Sequence, residues 1–328
     1  MKILHCIPIL DRGGGAERQL SYLATGMVQR GHEVHVAYAQ GGALVAPLAD
    51  AGVALHDVGG RGNYDPRIAL KLAKLMRALR PDVVQTSLPQ MDVLGGAAAI
   101  VTGTRWILRE SSAAPSYPRG WKSGLRRLLG RRADAVVANS AEGAAYWQTR
   151  HIIPNGVALG DVRPAPGNEI LFAGRLTEGK NVHTLLDALA LLDVDAVICG
   201  DGPLREELQR QAGPRVTFTG VIDDLRERMQ RASVVVSLSR FEGCSNVVME
   251  AMACGAPLVV SDIAAHRALL GDAALFVDPD DAPAAAGAIE SVLLDRDAAR
   301  DRANAARARA AQWTIDAMVT TYENVYRA

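Results

Sequence analysis

An α/β protein of two Rossmann-like domains facing each other is predicted by three observations. Short β-branched runs alternate with longer amphipathic stretches along the chain, the pattern of parallel strand–helix units. The series runs twice, on either side of "IIPNGVALGDVRPAPGN" (152–168), a connector rich in Pro, Gly and Asn. A chain of 328 residues with 49% hydrophobic content can fill two buried cores.

Taken in order, the first-half strands are expected at "KILHCIPI", "EVHVAYA", "VALHDV", "DVVQTS", "RWILRE" and "DAVVANS". Between the first two stands "AERQLSYLATGMVQRG", whose Leu20, Leu23, Ala24, Met27 and Val28 recur at helical spacing and stop at Gly31. The second series is "EILFAGRL", "DAVICGDG", "RVTFTG", "SVVVSLS", "APLVVSD" and "AALFVD", with helices at "NVHTLLDALALL", "PLREELQRQAG" and "NVVMEAMACG". The expected division is residues 1–157, then 158–310, then a C-terminal helix over 311–328 packing back on the first domain. Trp313 and Tyr326 are its expected anchors.

Composition narrows the function. The N-terminal run "MKILHCIPIL" is interrupted by Pro8 and followed by Asp11 and Arg12, so it reads as a strand rather than a signal peptide. "GGAAAIVTGT" is too short and glycine-rich to span a bilayer. Cys6, Cys199, Cys244 and Cys254 are scattered, without C-x-x-C or nearby histidines, which suits reduced thiols in the cytoplasm and no metal site. Net charge is zero, yet residues 1–160 hold 19 Lys+Arg against 11 Asp+Glu and the remainder 17 against 25. The basic half suits an anionic partner; no basic stripe interleaved with aromatics points to nucleic acid.

Three stretches carry chemistry. In "LDRGGGAERQL" the glycines Gly13, Gly14 and Gly15 join a strand to a helix, where bare backbone and free amides can receive a phosphate. A tight turn with Glu17 in the first helical turn explains the same residues equally well. In "FAGRLTEGKNV", Gly174, Arg175 and Lys180 follow a strand end, where the two cations can converge on a diphosphate or remain solvated.

"RFEGCSNVVMEAMACGAP" (240–257) sets Glu242 in a loop and Glu250 in the first turns of a helix capped by Ser245 or Asn246. On one continuous helix they would stand about 12 Å apart. A loop glutamate can fold back, so the pair suits a ligand with a reactive end, a charged middle and a polar far end. Two solvated acids are the simpler alternative.

Together "GGAE", "NGV" (155–157), "GRLTEGKN", "GDGP" (200–203) and "EGCSNVVMEAMACGAP" resemble the retaining nucleotide-sugar glycosyltransferases of family 4, from about residue 3 to 326. The resemblance implies the GT-B fold with the donor in an interdomain cleft. It implies that Arg175 and Lys180 bind the diphosphate, Glu250 the ribose and Glu242 the transferred sugar. Amides of Ser245, Asn246 and Val247 would meet the phosphates, with Gly14 and Gly15 contributing from the first domain. Gly220, Val221 and Ile222 would lie near the base. The cations and amides would replace a divalent metal, so no cofactor is expected. "EGCSN" resembles relatives that use UDP-linked hexoses or N-acetylhexosamines, which favours UDP.

At the place where many family members carry a histidine near the reacting sugar, this chain reads "RWILRESSAAPSYP". Arg109 and Glu110 are expected to touch acceptor or sugar there, a buried ion pair being the alternative. After it, "YPRGWKSGLRRLLGRR" (117–132) sets Arg119, Lys122, Arg126, Arg127, Arg131 and Arg132 around Trp121, Leu125, Leu128 and Leu129. Such a segment can lie on an anionic membrane, suiting a lipid-linked acceptor, or be a solvated helix face. The expected function is transfer from a UDP-sugar to a glycan or lipid-linked hydroxyl in surface polysaccharide or glycolipid assembly, on the inner face of the cell membrane. A UDP-sugar 2-epimerase of the same fold and an inactive nucleotide-binding module are the alternatives.

Overall fold

A computed structural model of the chain describes residues 1–11, 14–112, 120–160, 167 and 169–328. Its contacts divide it into two units, Met1–Gly156 with Ile315–Ala328, and Val157–Thr314. The first runs β1 (Lys2–Ile9), α1 (Gly15–Gln29), β2 (Glu33–Gln40), α2 (Val45–Asp50), β3 (Ala54–Asp57), α3 (Pro66–Leu79) and β4 (Val83–Ser87). It continues with α4 (Leu88–Thr102), β5 (Trp106–Glu110), α5 (Trp121–Gly130), β6 (Ala135–Ala138), α6 (Ala141–Trp147) and β7 (His151–Ile152).

The second unit runs β8 (Glu169–Ala173), α7 (Val182–Leu189), β9 (Asp195–Cys199), α8 (Arg205–Gln211), β10 (Val216–Gly220), α9 (Leu225–Arg231) and β11 (Val234–Ser237). Then come α10 (Asn246–Cys254), β12 (Leu258–Ser261), α11 (Ala264–Leu270), β13 (Leu275–Val277), α12 (Ala282–Leu294) and α13 (Arg296–Ala310). The final helix, α14 (Ile315–Arg327), belongs to the first unit.

Each unit is a Rossmann-like parallel sheet. The strand orders are β3-β2-β1-β4-β5-β6-β7 and β10-β9-β8-β11-β12-β13. In each, chain order reverses between two central strands, β1/β4 and β8/β11, and loops at their carboxyl ends open a crevice. Strands covered on both faces read as near-continuous apolar runs because alternate residues feed opposite layers. Thus Ile3 and Ile7 of β1 pack with Leu20, Leu23 and Met27 of α1, whereas Leu4 and Cys6 pack with Leu72, Met76 and Trp106. In the second unit Leu171 joins Val248 and Met252 of α10, and Ile170 joins Leu185 and Ile289.

"GGAAAIVTGT" lies largely in α4. Its two glycines let the helix approach the sheet closely: a Cβ at Gly95 would stand 2.9 Å from Thr86, and one at Gly96 would overlap the Trp106 ring. No helix among the described residues is long and apolar enough to cross a membrane.

The C-terminal segment is divided at Thr314 rather than moving as one piece from 311. Trp313 packs against the second core, its carbonyl accepting from Val157 N–H at 2.9 Å. Met318, Val319, Tyr322 and Tyr326 of α14 are buried with α1 in the first. Glu323 fixes that contact, accepting from Arg30 Nη1 at 3.0 Å.

Candidate active site

At the β8/β11 reversal, two loops meet residue by residue. Arg240 N–H donates to the Gly179 carbonyl at 3.0 Å, and Phe241 stacks over Gly179, where a Cβ would come within 2.8 Å of the ring. The next pair is the charged one: Lys180 Nζ donates to Glu242 Oε1 at 2.5 Å. Ser239 Oγ donates to the same oxygen at 2.8 Å, so the loop glutamate does fold back.

Asn181, fully buried with φ +54°, ends the lysine turn, its amide donating to the Pro279 carbonyl at 2.6 Å. Asparagine tolerates this left-handed conformation better than most residues. Lys180 is thereby held, with side-chain exposures of 26% for the lysine and 13% for Glu242. Burial pushes the Glu242 carboxyl up, but the Lys180 charge and hydrogen bond, with His266 and Ser239, outweigh it and leave its pKa lowered. The carboxylate is therefore ionised at neutral pH.

Behind Glu242 lies a layer that sequence reasoning missed. Ser261, ending β12, donates from Oγ to the Ser239 carbonyl at 2.5 Å, and His266 Nδ1 of α11 stands 3.0 Å from the Ser261 carbonyl. Burial above all holds the His266 imidazole below its usual range. A lone histidine in "IAAHRALL" and serines at strand ends carried no motif.

Past the Glu242 loop, Ser245 occupies the N-cap of α10 without a side-chain capping bond. The first-turn amides, Asn246 and Val247 among them, lack intrahelical partners by geometry. Glu250 follows one turn later on the same helix, near enough to Cys254 that its charge joins burial in raising that thiol's pKa.

Gly174 and Arg175 follow β8, and Arg175 is exposed. Among the described residues no carboxylate pairs with it. Its loop is set by "GDGP": a Cβ on Gly200, at φ +130°, would overlap the Gly174 carbonyl, and Leu176 N–H donates to the Asp201 carbonyl at 2.9 Å. Gly200 N–H donates in turn to the Gly220 carbonyl at 2.7 Å, which places Gly220, Val221 and Ile222 on the same edge. Val221 is 65% exposed, and Ile222 packs on the core.

In the first unit, Gly14 is the N-cap of α1 and Gly15 opens the helix, whereas Arg12 and Gly13 lie outside the described residues. A Cβ on Gly14 would overlap the Glu17 carboxylate, which is buried over the helix start. Arg109 and Glu110 are each 1% exposed. They do not pair with each other, because neighbours on a strand face opposite ways.

Glu110 joins a buried network: Arg126 donates to Glu110 Oε2 at 2.9 Å and to Asp92 Oδ2 at 2.7 Å, and Trp147 Nε1 donates to Glu110 at 2.8 Å. Arg126 is thereby removed from the basic surface. Trp121 and Leu128 of α5 are 70% and 61% exposed, with Lys122, Arg127, Arg131 and Arg132 also on the outside. Residues 113–119, with Arg119, lie outside the described residues. Among the described residues no group of three His, Cys, Asp or Glu is placed to hold a metal.

Residues 167–295 match the family described as glycosyl transferases group 1, and residues 13–160 match glycosyltransferase family 4. The chain belongs to glycosyltransferase family 4. This glycosyltransferase is 27% identical to the lipopolysaccharide core biosynthesis glycosyltransferase LpsE of Rhizobium meliloti, over 90% of its own length and 89% of that protein. It is 28% identical to the phosphatidyl-myo-inositol mannosyltransferase of Mycolicibacterium smegmatis, covering 88% and 84% respectively. Among solved structures, Anabaena HepE in complex with UDP-glucose matches over all of both chains with a TM-score of 0.89 at 21% identity. Likeness at that identity concerns the fold, which is GT-B.

Proposed function

We propose that this glycosyltransferase moves a hexose or N-acetylhexosamine from a UDP-sugar to a hydroxyl of a glycan or lipid-linked acceptor, with retention at the anomeric carbon. The observation that carries the reading is the Lys180–Glu242 pair at the β8/β11 reversal, beside the α10 N-terminus. Support for UDP comes from HepE, solved with UDP-glucose, and for a surface glycan or glycolipid from LpsE and the mannosyltransferase.

Cleaving the C1–oxygen bond to phosphate builds negative charge on the diphosphate and positive charge at C1. Preorganised donors lower that barrier most when they are fixed before reaction. Lys180 gives one of its three N–H donors to Glu242 and keeps two for phosphate oxygens. Arg175 and the α10 amides supply the rest, and no divalent cation is required by the proposal. Glu242 holds the sugar and Glu250 the ribose hydroxyls. The acceptor oxygen bonds to C1 from the face the diphosphate leaves, and its proton passes to a leaving-group oxygen.

Glu250→Ala should raise the KM for donor roughly 10–100-fold with little change in kcat, the signature of lost uniform binding. Glu242→Ala should instead lower kcat about tenfold or more. UDP release measured with and without acceptor reads both, and the epimerase or inactive-module alternatives predict no acceptor dependence. Equal, small effects from the two substitutions would return both residues to solvated charges.

The outward face of α5 favours a lipid-linked acceptor presented at an anionic surface. Exposed Trp121 and Leu128 can enter the interface while the surrounding cations meet headgroups. Co-sedimentation with vesicles containing phosphatidylglycerol, and none with phosphatidylcholine alone, is expected. Equal recovery with both would remove the membrane from the proposal.

A further inference from the structure

The first unit buries an arginine on each face of its sheet, and among the described residues only one of them is paired with carboxylates. On the face toward α4 and α5, Arg126 has two carboxylates, Asp92 and Glu110. On the face toward α1 and α14, Arg109 donates from Nη2 to Asn155 Oδ1 at 3.2 Å and stands beside Tyr322. No carboxylate pairs with Arg109 among the described residues.

Around Arg109 the same face carries further polar groups on adjacent strands. Ser87 of β4 stands opposite Arg109, and Gln85 of β4 opposite His5 of β1. His5, Gln85 and Ser87 are all fully buried. Tyr322 and Tyr326 of α14 cover them: the Arg109 guanidinium carbon is 5.7 Å from the centre of the Tyr322 ring, and Tyr326 OH donates to Gln85 Oε1 at 2.5 Å. Among the described residues, Arg109 Nε, Gln85 Nε2, Ser87 Oγ and both ring nitrogens of His5 have no hydrogen-bond partner.

Buried polar groups are almost always satisfied, so a cluster of this size needs an occupant. The cluster is rich in donors and carries one positive charge that arginine cannot discharge by losing a proton. His5 adds no second charge: burial first, then Arg109, holds its pKa down to about 3. Water would meet the hydrogen bonds but leave the charge. An acceptor with negative charge meets both.

We propose that this cluster beneath α14 binds a small inorganic monoanion, which accepts from Arg109 Nε and from the neighbouring donors of His5, Gln85 and Ser87. The anion neutralises Arg109 and ties β1, β4 and β5 together under the C-terminal helix. The cluster's residues, His5, Gln85, Ser87 and Arg109, all belong to the first unit.

The test is thermal unfolding of the full chain in sodium chloride and in sodium gluconate at equal ionic strength, gluconate being too bulky for a buried cluster. Native protein should melt about 2–4 °C higher in chloride, the shift of a ligand bound only by the folded state. Arg109→Met, which removes the charge at similar volume, should lose that difference. Bromide-soaked crystals of native protein provide a second measurement that does not depend on the variant folding, with anomalous density expected within hydrogen-bond reach of Arg109. Equal melting of native protein in the two salts, the same chloride effect in Arg109→Met, or no bromide at Arg109 would overturn the proposal.

Discussion

Lys180→Ala is expected to lower turnover roughly 10²–10³-fold, the usual cost of removing one preorganised donor from a developing oxyanion. The loss has two parts. The diphosphate loses its ammonium, and Glu242, mostly buried, loses the cation that keeps it ionised. In the native protein the lowered Glu242 pKa means that the pair's stability is complete above the ordinary carboxylate value of 4.5 and is lost as pH falls through the lower one. Without Lys180, burial remains as the largest influence and drives the pKa upward. The acid limb of the pH–rate profile should therefore move to higher pH. Steady-state UDP release between pH 5 and 9 measures both effects, and an unchanged acid limb with full turnover would contradict the assignment.

Arg126→Met is expected to destabilise the protein by about 3–5 kcal/mol, because removing one partner of a buried ionic network strands the others. Asp92 is fully buried and Glu110 1% exposed, and both would face one another without a cation. Burial already raises Asp92 to about 6, despite Arg126. A raised carboxyl pKa means the folded state binds more protons, so stability falls as pH rises from the ordinary 3.8 through the folded value. Losing Arg126 should push that window upward, making Arg126→Met less stable at pH 8 than at pH 6. Urea denaturation at the two pH values reads this, with Asp92→Asn added to Arg126→Met recovering part of the loss. A loss below about 1 kcal/mol would make the network a surface-like pair.

Much of this was legible from residues alone because period-two and period-3.6 patterns were strong. β1 to β6 and β8 to β13 fall where β-branched runs stand, and the motif glycines precede helices. Other features were hidden for stated physical reasons. β7 has two residues, His151 and Ile152, too few for a period. α4 contains two adjacent glycines, poor helix formers that are there for close packing on Thr86 and Trp106.

Arg109 and Glu110 looked like one unit in sequence, yet strand alternation sends them to opposite layers. Arg126 looked like one of six surface cations, but it shares a helical face with Leu129 and Gly130, and that face is inward. Ser239, Ser261 and His266 converge on Glu242 only through sheet neighbours, which no local spacing records. Conversely, the fold-back of Glu242 was readable because a loop between strand and helix at the sheet's reversal has one crevice to enter.

On the proposed function, the second unit binds UDP through its β8 and β11 loops and Glu250. The most direct measurement is thermal unfolding of native protein and Glu250→Ala with UDP, GDP, ADP and dTDP. UDP should raise the melting temperature of the native protein most, and Glu250→Ala should lose most of that rise. Stabilisation by GDP alone, or an equal UDP shift in the variant, would contradict it.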